Sequence, residues 1–228
     1  MHAFKTIKDR AAKRKGGEAA LKKLLPTPKK PGALRRIPDD RWLAEMTRRV
    51  FQAGFNWKVV DAMWPGFEAV FHRFDPVRCR KISIAEMERL VVDKRIVRNS
   101  TKIRSVLRNA QFVCDLKAEF GSAGAYFASS KPEQFVALLD TLKARADRLG
   151  AQTAQYFLRG MGVDGFILSK DVIAALIEAG VIASAPTSKK AFAAIQDAFN
   201  RWHDESGWPL MAISRTLSYS IGDNRAGI

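Results

Sequence analysis

The sequence has few metal-binding side chains and no long apolar run. Its two cysteines, Cys79 and Cys114, lie 35 positions apart without a CxxC pair, and its three histidines do not cluster. Because metal sites need several such ligands at short spacing, we expect no bound metal and no cofactor. Apolar runs of about eighteen residues and the apolar core of a signal peptide are missing as well. We therefore expect a cytoplasmic protein that does not contact a membrane.

Acidic residues are scarce relative to basic ones. The 228-residue chain carries 39 Lys and Arg against 23 Asp and Glu, a formal net charge of +16 with an isoelectric point near 10.2. This excess favours a polyanionic partner, with nucleic acid first and an anionic membrane second. The alternative is a basic but otherwise ordinary protein.

The first 37 residues differ in composition from the rest of the chain. They hold twelve basic residues against two acidic ones, hence a net charge of +10. Two short helices are predicted on either side of Gly16-Gly17, and the run PTPKKPG ends any helix because proline lacks an amide donor. We predict a basic extension and linker over residues 1–37, followed by a helical domain over residues 38–228. The extension either tracks phosphates without reading sequence or is a solvated tail without a role.

Apolar residues recur at helical rather than strand spacing throughout the chain. Phe192, Ile195, Phe199 and Trp202, for example, share one face of a helix predicted over residues 189–205. Strand patterns of any length are absent from the sequence. We therefore predict an all-α fold, arranged as one large domain or two small lobes.

Aromatic and amide side chains are concentrated at one predicted turn. The segment 48–64 predicts a helix that ends at Gly54 and a second helix capped by Asn56. Flat ring faces and hydrogen-bonding amides suit a planar ligand such as a nucleobase, whereas the alternative is a well-packed helix corner. The four side chains at this turn are Gln52, Phe55, Asn56 and Trp57.

A second segment has the features of a phosphate site. The run DKRIVRNSTK places basic side chains beside capping residues at a predicted helix start, where free backbone amides bind anions. An ordinary capped surface helix is the alternative. The residues that we expect to contact a phosphate backbone here are Arg98, Ser100, Thr101 and Lys102.

Three blocks of sequence resemble the 3-methyladenine DNA glycosylase I family. They are FQAGFNW, FEAVFHRFDP and MERLVVDKRIVRNSTKIRSVLRNA, which follow the family's order and natural spacing. The segment LGAQTAQYFLRGMG, residues 149–162, is similar to the second helix of the helix-hairpin-helix in base-excision glycosylases. We expect Gly150 in this hairpin to adopt a positive φ angle. The resemblance covers about residues 41–176 and implies two helical lobes with a central cleft.

The resemblance also implies an activity. Proteins of this family flip a damaged base out of duplex DNA into an aromatic pocket, where water cleaves its bond to the sugar. The implied protein is a monomeric DNA-repair hydrolase that acts on alkylated, 3-methyladenine-type bases in double-stranded DNA. The alternative is a non-catalytic helix-hairpin-helix protein that binds damaged or distorted DNA, and a third class is a helical protein that binds RNA or an anionic membrane.

The resemblance assigns roles to individual residues. Phe55 matches a bulky wedge that fills the gap left in the duplex. The hairpin is implied to contact the DNA backbone through Leu149, Gly150, Ala151, Gln152 and Thr153. The implied base pocket comprises Gln52 and Trp57, together with Arg49, Asn56 and Trp42, the last as a stand-in for the family's pocket tyrosine.

The sequence departs from the family at several positions. The family's N-terminal motif, a His-Asp pair followed by Glu-Trp-Gly, is absent, and Ile167 stands at a zinc-ligand position, so we predict no zinc. Gln152 stands where related enzymes with a lyase step carry a nucleophilic lysine, so we predict no lyase step. The catalytic carboxylate is unassigned, with Glu45 and Asp171 as candidates.

Arg49 replaces the family's pocket glutamate. A guanidinium in the pocket would repel a cationic alkylated base, which needs stacking and an acceptor. Two arrangements follow from this. Either Arg49 turns outward towards a phosphate or Glu45, or the base is neutral and accepts a hydrogen bond from Arg49.

Overall fold

The computed structural model of this protein describes residues 1–222, and this part of the chain contains helices and connecting segments but no strands. The all-α prediction is confirmed. Among these residues, no helix combines the length and the apolar character that crossing a bilayer requires. The α-helices are α1 (Phe4–Arg14), α2 (Glu18–Lys23), α3 (Pro31–Arg35), α4 (Asp39–Gln52), α5 (Trp57–Ala62), α6 (Trp64–Val70), α7 (Pro76–Cys79), α8 (Ile84–Val92), α9 (Ser100–Phe120), α10 (Ala123–Ala128), α11 (Phe135–Arg145), α12 (Ala151–Met161), α13 (Lys170–Glu178), α14 (Lys189–Ser206) and α15 (Leu210–Ser220).

The helices form two compact units. The first unit comprises residues 1–29, 131–138 and 162–222. The second unit comprises residues 30–130 and 139–161. Each unit is therefore assembled from segments that are distant in sequence.

In the first unit, α15 packs against α1, α13 and α14. Helix α1 buries Phe4, Ile7 and Ala11, which recur at the three- and four-residue spacing of one helix face. The basic N-terminal segment thus supplies core side chains to this unit as well as charge. The domain boundary that we placed after residue 37 stays a prediction.

In the second unit, α4 packs against α9 and α12. Trp42 of α4 is 0% exposed, and its ring stacks on Phe127 with centroids 4.5 Å apart and meets Phe157 edge-on at 6.0 Å. Its indole N–H donates to the carbonyl of Ile37 at 3.3 Å. These surroundings argue against the predicted pocket role of Trp42, because a ring without exposed surface cannot stack on a ligand.

The turn after α4 has the predicted geometry. Gly54 adopts a φ angle of +67°, which ends α4. The Asn56 side chain accepts a hydrogen bond from the Lys58 amide at 3.0 Å and so caps α5, as predicted.

Lys102 closes the same turn from the neighbouring helix. Its ammonium donates to the carbonyls of Phe51 at 3.1 Å and Ala53 at 2.7 Å, at the end of α4. Burial, with a smaller effect of the positive charge of Arg148, lowers the pKa of Lys102. We expected this lysine to contact a phosphate. Its geometry argues against that role, because two of its three donors already serve the C-terminal carbonyls of α4.

The hairpin between α11 and α12 is held by α9. The Asn109 amide nitrogen donates to the carbonyl of Asp147 at 3.0 Å, and the Asp147 amide donates back to Asn109 Oδ1 at 2.7 Å. The residue with a positive φ angle is Arg148, at +61°, and not Gly150 as we expected. The left-handed turn therefore lies two residues earlier than the sequence indicated.

Replacing Asn109 by Ala tests this support. The substitution removes both hydrogen bonds and leaves the half-buried backbone groups of Asp147 without these partners, so we expect a loss of about 1–3 kcal/mol in the free energy of unfolding. Urea unfolding measures it. Arg104→Ala, at an exposed position of the same helix, is the control and should change stability by less than about 0.5 kcal/mol. Equal midpoints for the two variants would show that the hairpin does not depend on Asn109.

Replacing Lys102 by Met tests the capping role. The variant keeps the apolar stem but removes the donors to Phe51 and Ala53, so we expect it to lose about 1–3 kcal/mol of stability in urea unfolding. Lys94→Met, at an exposed position, is the matched control and should be neutral. If Lys102→Met leaves stability unchanged but makes the DNA affinity depend less steeply on salt concentration, the capping role is wrong and Lys102 contacts a phosphate instead.

Candidate base-binding site

A chain of hydrogen bonds links the end of α4 to α5. Gln52 Oε1 accepts from Arg49 Nη1 at 3.1 Å, and Gln52 Nε2 donates to Asp61 Oδ1 at 3.1 Å. Gln52 is only 2% exposed, so charged partners on both sides hold its amide in one orientation. Asp61 also accepts from Arg48 Nη1 at 3.3 Å, which extends the chain back to α4.

Arg49 contacts Glu45, which the sequence suggested as a partner, and also Trp57. Its Nε and Nη2 each lie 2.7 Å from Glu45 Oε1, and its guanidinium carbon lies 5.5 Å from the centre of the Trp57 ring. The pairing with Glu45 is one of the partners that the first predicted arrangement named, and a hydrogen bond to a neutral base stays a prediction. The side chain pairs with Glu45, and it also lies over the predicted pocket tryptophan.

Trp57 and Tyr156 form an open aromatic corner. Their ring centroids are 5.4 Å apart and their planes are nearly perpendicular, at 89°. Trp57 is 43% exposed although it contacts both Tyr156 and Arg49. Exposed aromatic surface of this kind offers a stacking face to a planar ligand.

Tyr156 and Gly160 were missed by the sequence analysis. A Cβ atom on Gly160 would overlap Glu45 Oε1 and approach Arg49 Nη2 to 2.8 Å, so this glycine makes room for the ion pair. Gln152, Tyr156 and Gly160 recur at four-residue spacing and therefore share one face of α12. That spacing was the available signal, but the sequence did not show which neighbour the face contacts.

Phe55 and Asn56 lie at the exposed tip of the turn. Phe55 is 44% exposed, and its backbone amide donates to the Gln52 carbonyl at 3.1 Å. The Asn56 side chain also lies at the surface, but its oxygen is engaged in capping α5. The wedge role of Phe55 and the pocket role of Asn56 stay predictions.

The two predicted DNA-backbone segments both lie in the second unit. Arg98, Ser100 and Thr101 are exposed at the start of α9, where the Asn99 side chain caps the helix by accepting from the Lys102 amide at 3.1 Å. The hydrogen bonds between Asn109 and Asp147 place the hairpin beside the same helix, α9.

Residues of the hairpin differ in accessibility. Leu149 is buried, Thr153 is half-buried and Gln152 is exposed, while the side chain of Ala151 lies outside the described part of the structure. A Cβ atom on Gly150 would meet no atom within 4 Å. Neither the φ angle nor internal packing therefore requires glycine at this position.

The candidate carboxylates belong to different units. Glu45 is in the second unit, with Oε1 bound to Arg49 and Oε2 3.8 Å from Arg48 Nε. Asp171 is in the first unit, in the first turn of α13. Within residues 1–222, no three His, Cys, Asp or Glu side chains are placed to hold a metal ion. At Ile167 the backbone amide donates to Ser214 Oγ at 3.0 Å.

Comparison with known proteins gives two kinds of relative. DNA-3-methyladenine glycosylase 1 of Escherichia coli strain K12 is 38% identical over 60 residues, which are 26% of this chain and about a third, 32%, of that protein's length. A crystal structure of 3-methyladenine DNA glycosylase I is similar with a TM-score of 0.51 at 21% identity, over 61% of this chain and 83% of that chain.

A third similar structure covers nearly the whole chain. The 8-oxoguanine DNA glycosylase of Methanocaldococcus jannaschii has a TM-score of 0.56 at 14% identity, over 94% of this chain and 92% of that chain. The same archaeal protein also has a structure in complex with DNA that contains 8-oxoguanine. At these identities the likeness concerns the fold, which is that of helical DNA glycosylases.

Family membership follows from a longer match. The family model described as methyladenine glycosylase matches residues 35–180, and this range includes the Trp57 turn, the start of α9 and the hairpin. Since the match extends over more than half of the chain, the protein belongs to the methyladenine glycosylase family.

Proposed function

We propose that this protein is a base-excision DNA glycosylase, which flips a damaged base out of duplex DNA and hydrolyses its bond to the deoxyribose. The observation that carries the proposal is the open corner of Trp57 and Tyr156 beside the buried Gln52 amide, in a member of this family. The names of the relatives make 3-methyladenine the reference lesion for a test. A monomeric state and a cytoplasmic location belong to the same proposal.

We assign each pocket residue a separate role in holding the base. The exposed face of Trp57 stacks on the flipped ring, and Tyr156 closes one side of it. Gln52 is buried beside this corner, and its amide holds Arg49 and Asp61 in place next to the base. Phe55, at the exposed tip of the turn, enters the duplex where the base has left.

Backbone contacts position the duplex. The start of α9 offers amides beside Arg98, Ser100 and Thr101, and the Thr101 hydroxyl itself donates to Asn99 Oδ1 at 2.9 Å. At the hairpin, the open space around Gly150 lets a phosphate approach the main chain, which a side chain there would prevent. The net charge of +16 supplies attraction that does not depend on sequence.

The chemical step is a hydrolysis. Water adds its oxygen to the anomeric carbon of the sugar, the base departs with the bonding electrons, and the proton that the water loses passes to the departing base or to solvent. Stacking and hydrogen bonds that tighten as the bond breaks lower the barrier. The carboxylate that assists the water is unassigned, with Glu45 and Asp171 as alternative candidates, and Glu45 is paired with Arg49.

Base release from damaged DNA tests the function. Wild-type protein is expected to release a base from at least one duplex in a panel of alkylated, deaminated and oxidised lesions. Trp57→Ala should lower the release rate by about 10- to 100-fold, because stacking contributes about 1–3 kcal/mol per base, while its affinity for undamaged duplex stays within about twofold.

The substitution Gly150→Val tests DNA binding, whereas Trp57→Ala tests base release. We expect it to fold normally, since the new side chain meets open space, but to bind all duplexes about tenfold more weakly. If no lesion is released while the protein binds abasic DNA tightly, the non-catalytic DNA-binding alternative holds instead.

We also propose that the enzyme lacks a lyase step. Cleavage of the backbone by β-elimination needs an amine that forms a Schiff base with the abasic sugar, and the hairpin presents the exposed amide of Gln152 in that place. Borohydride should therefore trap no covalent complex between the wild type and abasic DNA. Gln152→Lys is the positive control and is expected to give a trapped complex. Trapping of the wild type at a level similar to this variant would contradict the proposal.

A further inference from the structure

The placement of Arg49 bears on which bases the pocket accepts. We propose that the pocket selects uncharged bases with carbonyl acceptors, such as hypoxanthine, over cationic alkylated bases. This inference rests on the proposed glycosylase function and narrows its substrate class. It is carried by the Arg49 guanidinium, which lies over Trp57 and is held there by Glu45 and Gln52.

Arg49 disfavours a cationic base through charge repulsion. Its guanidinium carbon lies 5.5 Å from the centre of the Trp57 ring, so the positive charge of Arg49, although paired with Glu45, lies near a base that stacks on this ring. Like charges at such separations repel, and more strongly in a partly buried site than in water. A cationic base is therefore disfavoured, whereas an uncharged base is not.

Hydrogen bonds hold the Arg49 guanidinium beside the Trp57 ring. Its Nε and Nη2 face Glu45 Oε1 at 2.7 Å, and its Nη1 donates to Gln52 at 3.1 Å. The Arg49 guanidinium lies over the Trp57 ring, and Glu45 packs against Gly160 of α12. Removing the guanidinium from the pocket would break both sets of bonds.

Both carboxylates near Arg49 already have basic partners. Glu45 is paired with Arg49, and Asp61 accepts from Arg48 and from Gln52. The four charges of the cluster therefore cancel. A cationic base meets no unpaired carboxylate among these residues, and it would have to compete with an arginine for each of them.

Arg49 also has N–H donors that Glu45 and Gln52 do not use. A guanidinium has five N–H groups, and three of those on Arg49 are directed at Glu45 and Gln52. One N–H is left on each terminal nitrogen. Two such donors match O6 and N7 of an uncharged 6-oxopurine, the acceptor pair that arginine binds in guanine. Methylation of N7 removes one of these acceptors and adds a positive charge, so 7-methylguanine fails on both counts.

The test compares base release from duplexes of identical sequence that carry hypoxanthine, 7-methylguanine or 3-methyladenine. Single-turnover rates are each divided by the uncatalysed rate, because cationic bases leave readily without an enzyme. We expect the wild type to accelerate the release of hypoxanthine at least about tenfold more than that of either cationic base, a difference of about 1.4 kcal/mol.

Two substitutions at Arg49 separate charge from shape. Arg49→Gln keeps a hydrogen-bonding side chain but removes the charge, and it should reduce the preference for hypoxanthine at least about fivefold. Arg49→Lys keeps the charge and should retain the exclusion of cationic bases. Thermal unfolding of both variants checks that they are folded.

Each outcome bears on a different proposal. If the wild type accelerates release of the cationic bases as much as that of hypoxanthine, and Arg49→Gln does not change the ratio, the selectivity inference is overturned while the glycosylase function stands. If no base is released, the glycosylase function is overturned, and the affinity for the same duplexes then decides the inference. Tighter binding of the hypoxanthine duplex that is lost in Arg49→Gln supports the selectivity, and equal binding of all three duplexes overturns it.

Discussion

The contact on which the second unit depends is the Lys102 ammonium against the carbonyls of Phe51 and Ala53. A helix ends with carbonyls that have no partner within it, and a buried cation from α9 satisfies two of them here. One turn of backbone is thereby held in place, and this turn carries Phe55 and Trp57. Seven residues further along α9, Asn109 holds the hairpin through Asp147. One helix thus positions both the proposed pocket and the proposed DNA contact.

Two residues of the family-like block MERLVVDKRIVRNSTKIRSVLRNA have this supporting role. Lys102 and Asn109 are side chains that support the backbone rather than groups exposed to a ligand. Groups that face outward lie beside them, at the start of α9 and at Gly150. Burying a charged or amide group costs free energy unless hydrogen bonds compensate it, and these two residues are compensated by main-chain partners. The support that Lys102 and Asn109 give to the backbone therefore depends on the hydrogen-bonding groups of these two residue types.

The chemistry of the pocket depends on a chain of paired charges. From Glu45 through Arg49 and Gln52 to Asp61, each polar group is oriented by a neighbour of opposite character. Gly160 allows α12 to approach this chain, and Tyr156 reaches Trp57 from the same helix. Helix α12 therefore connects the hairpin to the proposed pocket, so the proposed contacts with DNA and with the base involve the same helix.

The sequence by itself determined the helices, the end of α4 at Gly54 and the Asn56 cap, because these depend on local backbone preferences and on short-range periodicity. It also identified the family, since the motif residues recur at characteristic spacings. Only the tertiary structure decided that Trp42 is buried, that Arg148 rather than Gly150 is left-handed, and that Tyr156 lies beside Trp57. It also placed Lys102 in a cap and Arg49 over the ring. These outcomes depend on which helix packs against which, and residues far apart in sequence make those contacts.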